Sequence, residues 1–184
     1  MKELSLYILD ITMNSVKAGA LNISILLSEN AGIFTFTVKD DGCGMTKEQL
    51  QKLSDPFFTT RTTRKVGLGI PFLKMLAEQT GGDVEIVSKS EKEYADHGTE
   101  LKARFNMKSI DFIPLGDIVS TVITLIQGSP DINFVFEHKK EEGTVRIDTS
   151  ELRKILGDVP LSSPEVLEWI KEYLTEQYEQ IKTI

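Results

Sequence analysis

The sequence predicts an α+β fold: a two-layer α/β sandwich carrying a small C-terminal α/β extension. Three observations predict it. Segments of helical apolar period alternate with pairs of strand-like segments joined by tight turns, the pattern of helices laid on one face of a mixed or antiparallel sheet. That pattern restarts after Ser109. The charge balance changes at the same place: residues 1–108 hold 14 Lys and Arg against 14 Asp and Glu, whereas residues 109–184 hold 7 against 14. The division expected is a domain of residues 1–108 followed by an acidic extension, 109–184.

Leu4, Ile8 and Ile11, continued by Ser15 and interleaved with Tyr7, Met13 and Ala18, recur at helical spacing, so residues 3–18 read as an amphipathic helix that Gly19 ends. Residues 21–29 alternate as a strand, and Asn30-Ala31-Gly32 turns into a second strand, 33–39. After the loop Asp40-Asp41-Gly42-Cys43-Gly44, Thr46 caps a short helix with Gln49 as its reciprocal partner. Residues 54–68 have no period and read as a long loop of the kind that serves as a lid. A helix over 69–80 tolerates Pro71 in its first turn and stops at Gly81-Gly82. Strands at 83–89 and 99–106 complete the domain. The extension reads as a helix at 115–127, a hairpin of 133–138 and 144–148, and helices at 150–156 and 164–181.

Composition excludes several classes. With 184 residues, 40% hydrophobic and 27% charged, the chain can bury a real core. No apolar run is long enough for a membrane span or signal core, and no targeting segment is present, so a cytoplasmic protein is expected. Cys43 is the only cysteine, which rules out an intrachain disulfide and a cysteine-cluster metal site. His97 and His138 have no ligand-like spacing, and both are expected to be ordinary surface or edge residues. The acidic extension repels phosphates and so excludes nucleic acid as its partner. It suits a solvated helical surface or a docking face for a basic partner. The apolar stripe of the last helix, Val166, Leu167, Ile170, Leu174 and Ile181, is expected to pack in the core, with Trp169 and Tyr173 beside it.

Four short elements, in order, suit contact with a nucleotide. Asp10 and Asn14 stand four residues apart on one helix face, a carboxylate and a carboxamide that together suit a hard cation such as magnesium. Asp40-Asp41-Gly42-Cys43-Gly44 follows a strand. Its glycines admit a flat ligand, and an aspartate there can accept hydrogen bonds from an exocyclic amine such as that of adenine. Asp55-Pro56-Phe57-Phe58-Thr59-Thr60 heads the lid, followed by Arg61, Arg64 and Lys65, hydroxyls and cations that suit phosphates. Gly67-Leu68-Gly69 opens a helix whose amino terminus can hold an anion.

In this order the elements resemble the GHKL ATPases, the superfamily of DNA gyrase, the MutL mismatch-repair ATPases and the histidine kinases, with its histidine-kinase-like ATPase (Bergerat) fold. Asp10 and Asn14 match the N box, Asp40-x-Gly42-x-Gly44 the G1 box, Asp55-Pro56-Phe57-Phe58 the F box, Gly67-x-Gly69 the G2 box, and Gly98-Thr99 the closing turn. The wording Pro56-Phe57-Phe58-Thr59-Thr60 and Gly67-Leu68-Gly69-Ile70 is most similar to the bacterial histidine kinases. The resemblance spans residues 3–107. It implies ATP and Mg2+ as ligands, with Asp40 on the adenine amine, Gly42 and Gly44 shaping the base pocket and Met45 beside the base. It further implies Asn14 on magnesium, Lys17 near a phosphate, and Gly67, Leu68 and Gly69 meeting the phosphates. Thr99 would close the pocket. Phe57, Thr60, Arg61 and Lys65 belong to the implied lid.

Three departures bear on activity. Hydrolysing members often carry a glutamate as general base where this chain has Asp10, one methylene shorter. Lys65 stands where a glycine often opens the G2 box. No dimerisation segment with a phosphoacceptor histidine precedes the domain, so self-phosphorylation in the usual manner is not expected. The activity expected is phosphoryl transfer from Mg-ATP to water or to another protein, with Asp10 as the catalytic residue. The rival is a non-catalytic ATP-dependent switch that recruits a partner through the extension. The extension is also similar to small bacterial ATP-binding proteins that accompany redox enzymes such as hydrogenases, which implies a regulated redox enzyme as one candidate partner.

Overall fold

The computed structural model describes residues 3–53 and 69–182. In chain order these form α1 (Leu4–Lys17), β1 (Asn22–Asn30), β2 (Ile33–Asp40), α2 (Lys47–Lys52), α3 (Gly69–Gln79), β3 (Asp83–Lys89) and β4 (Gly98–Asn106). There follow α4 (Ile118–Gly128), β5 (Asn133–Lys140), β6 (Gly143–Asp148), α5 (Thr149–Leu156) and α6 (Pro164–Lys182). The expected lid, with Asp55, Phe57, Thr60, Arg61, Lys65, Gly67 and Leu68, lies outside the described residues.

Six strands make one mixed sheet in the order β3-β4-β2-β1-β5-β6. Neighbours pair antiparallel except β1 and β5, which run parallel, with Ile23 opposite Phe134 and Ile25 opposite Phe136. The sheet of the first 108 residues therefore continues directly into the extension. This is the α/β sandwich the alternating pattern predicts, because the strands alternate buried and accessible residues with a period of two. Ile23, Ile25, Leu27, Phe34, Phe36, Val38, Leu101, Ala103, Phe105, Phe134, Phe136, Val145 and Ile147 form a continuous inner face under the helices. Leu4, Ile8 and Ile11 of α1, Leu73 of α3, Val122 and Leu125 of α4, and Ile170 and Leu174 of α6 close over it. The α6 stripe packs as expected.

Thr46 and Gln49 form the predicted capping box: the Gln49 N–H donates to Thr46 Oγ1 at 3.3 Å, and the Thr46 N–H donates to Gln49 Oε1 at 2.9 Å. One expectation fails. His138 is not a surface or edge residue; it is 1% exposed, on the inner face of β5 beneath α6. Phe134, Phe136 and His138 share one face of a strand, and that period of two carries the imidazole inward. Among the described residues no helix is long and apolar enough to cross a membrane.

Candidate functional site

At the end of the sheet where β2 stops and β4 begins, the inner face is polar. The register sets Asp40 opposite Thr99 and Thr99 opposite Ser88, so three adjacent strands present a carboxylate and two hydroxyls in one row. Asp40 is fixed from three sides. Its Oδ1 accepts from the Gly42 N–H at 3.0 Å and the Thr99 N–H at 3.2 Å, and its Oδ2 accepts from the Ser15 hydroxyl of α1 at 2.5 Å. A carboxylate offers about four acceptor positions, so one stays available for a ligand donor. The hydroxyls of Ser88 and Thr99 lie 2.8 Å apart, and Ser88 Oγ also accepts from the Met45 N–H at 2.8 Å.

The loop after β2 is held on both flanks. The Cys43 N–H donates to the Ala18 carbonyl at 2.9 Å, and the Glu91 N–H donates to the Cys43 carbonyl at 2.9 Å. His97 Nδ1 lies 2.6 Å from the Gly42 carbonyl oxygen. Gly44 has φ +63°, and a Cβ there would sit 1.8 Å from the Lys89 carbonyl oxygen. No other residue type fits that place without moving backbone.

A cavity of about 480 Å³ opens over this row, within the size range of small-molecule sites. Asp10, Asn14 and Lys17 of α1, Asp40, Cys43, Gly44 and Met45 of the loop, Gly69 at the start of α3, and Thr99 all line it. Ile11, Val38, Ile86 and Leu101 give it an apolar floor. Asp10 reaches the first residue of α3: a Cβ on Gly69 would lie 2.1 Å from Asp10 Oδ2. The sequence-predicted residues that lie among the described ones thus meet around one cavity, Gly42 through its hydrogen bond to Asp40. Three contributors were not expected at the site from the sequence. Ser15 gave a signal only as a polar residue at an inward helical position. Ser88 shows itself only once the β3–β4 register is known, and His97 only once the hairpin brings it to Gly42.

Residues 2–109 match the family of histidine kinase-, DNA gyrase B- and HSP90-like ATPases, and the chain belongs to that family. Those residues are an ATP-binding domain of the histidine-kinase-like type. Among its relatives is the sensor histidine kinase ZraS of Escherichia coli strain K12, 30% identical over 92 residues, which are 49% of this chain and 20% of the kinase. Sporulation kinase C of Bacillus subtilis is 32% identical over 76 residues, 41% of this chain and 17% of that protein. The matched segments span a fifth or less of these relatives' lengths. The ATPase domain of Aquifex aeolicus MutL, solved with ADP, superposes with a TM-score of 0.53 at 13% identity. That superposition covers 96% of this chain and 70% of the other, so the likeness in fold reaches past residue 109.

Proposed function

We propose that the protein transfers or hydrolyses the γ-phosphate of Mg-ATP, as an ATPase or as a protein kinase acting on a partner protein. The observation that carries this reading is the three-sided fixation of Asp40 beside a cavity that also holds Asp10 and Asn14. A carboxylate held by two backbone N–H groups and a serine hydroxyl is an acceptor of set direction, suited to one N–H of the adenine amine. Met45 and the apolar floor would take the ring. Lys17 and the amino-terminal end of α3 at Gly69 suit the phosphates, since a helix start offers unpaired N–H groups and positive potential. The lid residues Phe57, Thr60, Arg61, Lys65, Gly67 and Leu68 are proposed to close over the nucleotide.

The donor set fits magnesium. Among the described residues no group of three or more His, Cys, Asp or Glu is gathered that could hold a metal. Magnesium is commonly held by one or two protein oxygens with phosphates and water completing its shell, and Asn14 would supply such an oxygen. Bound there, the ion would neutralise phosphate charge. Asp10 would accept the proton of the attacking water or hydroxyl, and its position against Gly69 keeps the carboxylate at the phosphate end of the cavity.

The shorter reach of Asp10 favours one alternative, a nucleotide switch in which ATP binding changes the surface offered to a partner without chemistry. Single-turnover release or transfer of γ-phosphate separates the two, comparing wild type with Asp10→Asn and with Asp40→Asn as the variant that does not bind. Turnover by wild type, lost in Asp10→Asn while ATP binding persists, supports the enzyme. ATP binding through Asp40 with no chemistry, alone or with candidate partners, supports the switch.

A further inference from the structure

Helix α6 buries Val166, Leu167, Ile170 and Leu174 toward α4 and β6 and turns a second, different face outward. On that face Trp169 and Tyr173, one turn apart, stack with ring centroids 5.1 Å apart and planes 10° from parallel. Both remain accessible, at 48% and 39%. At about 100° per residue, Glu165, Glu172 and Glu176 fall within about 60° of Trp169 around the helix axis, and all three are exposed. Lys171 projects from the other side and pairs with Glu168 at 3.7 Å. An exposed aromatic platform bordered by three carboxylates, with no cation on the same face of α6 among the described residues, is complementary in charge and shape to a guanidinium: the cation lies over the ring face while its N–H edge donates to carboxylate.

We propose that this face of α6 docks an arginine-bearing segment of a partner protein. The proposal deepens the partner reading above by giving the partner's chemistry. Its test needs no nucleotide, so failure here leaves the ATP reading intact. A lysine-rich segment would gain the Coulomb attraction but not the planar stacking, and a nucleic acid would be repelled by residues 109–184, where acidic groups outnumber basic ones two to one.

Trp169 is the chain's single tryptophan, so its fluorescence reports the site directly. The 184-residue chain is titrated with a short synthetic arginine-rich peptide, its lysine-for-arginine counterpart and a glutamate-rich peptide. The same titrations are run on Glu165→Gln/Glu172→Gln/Glu176→Gln, on Tyr173→Ala, and on a charge-matched control, Asp131→Asn/Glu141→Gln/Glu142→Gln. The expected result is a saturable change with the arginine peptide, weaker with lysine and absent with glutamate. The triple α6 variant and Tyr173→Ala should each weaken it by about tenfold, with the control unchanged and circular dichroism the same throughout. Equal weakening in the control would overturn the proposal, since net charge alone would then explain binding. So would no saturable change, or a change with protein concentration in the absence of peptide, which would identify the occupant as a second copy of this chain.

Discussion

Asn22 and Asp41 tie the start of β1 to the loop that follows β2: Asn22 Nδ2 donates to Asp41 Oδ2 at 2.6 Å, while Asp41 Oδ1 accepts the N–H groups of Leu21 and Asn22 at 2.8 and 2.9 Å. Asn22 Oδ1 in turn accepts from Asn133 of β5 at 2.9 Å. The loop beside the cavity is thus hydrogen-bonded, through one residue of β1, to the extension. Burial acts to raise the Asp41 pKa, but the hydrogen bonds from Asn22 and Leu21 outweigh it and hold the carboxyl below its ordinary value.

Asp41→Ala should therefore destabilise the protein by about 1 kcal/mol at neutral pH, because these bonds are largely solvent-exposed. Since the folded pKa is depressed, the contribution is present above the unfolded carboxylate's value, near 3.9. It is lost as pH falls through the folded pKa. Denaturant melts of wild type and variant across the acid range check this: the two curves should converge at low pH.

Ser15→Ala removes one of the three donors that fix Asp40 while leaving its charge and the sheet register in place. Adenine-nucleotide affinity should fall about tenfold, the worth of one charge-assisted hydrogen bond. Thermal stability should change little. Calorimetric titration with a non-hydrolysable ATP analogue measures the first, and an affinity equal to wild type would remove Ser15 from the site.

The two glycines of the cavity should respond differently to alanine. At Gly44 a Cβ meets backbone in a left-handed conformation, so Gly44→Ala should cost about 2–4 kcal/mol in a thermal melt. At Gly69 the Cβ meets only the end of the Asp10 side chain, whose displacement costs less than moving backbone. Gly69→Ala should then stay within about 1 kcal/mol of wild type, since alanine favours a helix. It should bind ATP yet lose at least about tenfold in single-turnover phosphate release.

His138 is buried at the opposite end of the inner face, with Nδ1 2.9 Å from the Tyr178 hydroxyl and Nε2 3.1 Å from Glu29 Oε1, off the line of a hydrogen bond. Burial first, and then the nearby Lys140 ammonium, push the imidazole pKa from 6.5 down to about 4. The unfolded chain therefore takes up a proton between those values that the folded chain does not. This contribution to stability is whole above pH 6.5 and declines as pH falls toward 4, for a loss of roughly 2–3 kcal/mol. In His138→Phe that sloping limb should disappear from the stability-pH profile, whatever the variant's absolute stability.

Much of this was legible in the chain. Element types followed from apolar period and turn chemistry, and the Thr46–Gln49 box could be read from two residues three apart. The clustering of Asp10, Asn14, Asp40, Gly44 and Gly69 was signalled by the order of short motifs, since each motif needs its own local backbone. His138 was also readable, through Phe134 and Phe136 at alternate positions, yet its polarity suggested the surface.

What the sequence by itself determined is local: which segments are helix or strand, which face of each is apolar, and which loops carry glycine and aspartate. What only the tertiary structure decided is who meets whom. Periodicity sets the face of β1 but not its neighbour, so the parallel pairing with β5, 111 residues away at Asn22 and Asn133, could not be read in advance. The same holds for Ser15 on Asp40, Ser88 beside Thr99 and His97 on Gly42. Those contacts exist because the sheet register and the placement of α1 bring distant polar groups within hydrogen-bond reach, a constraint that no single segment encodes.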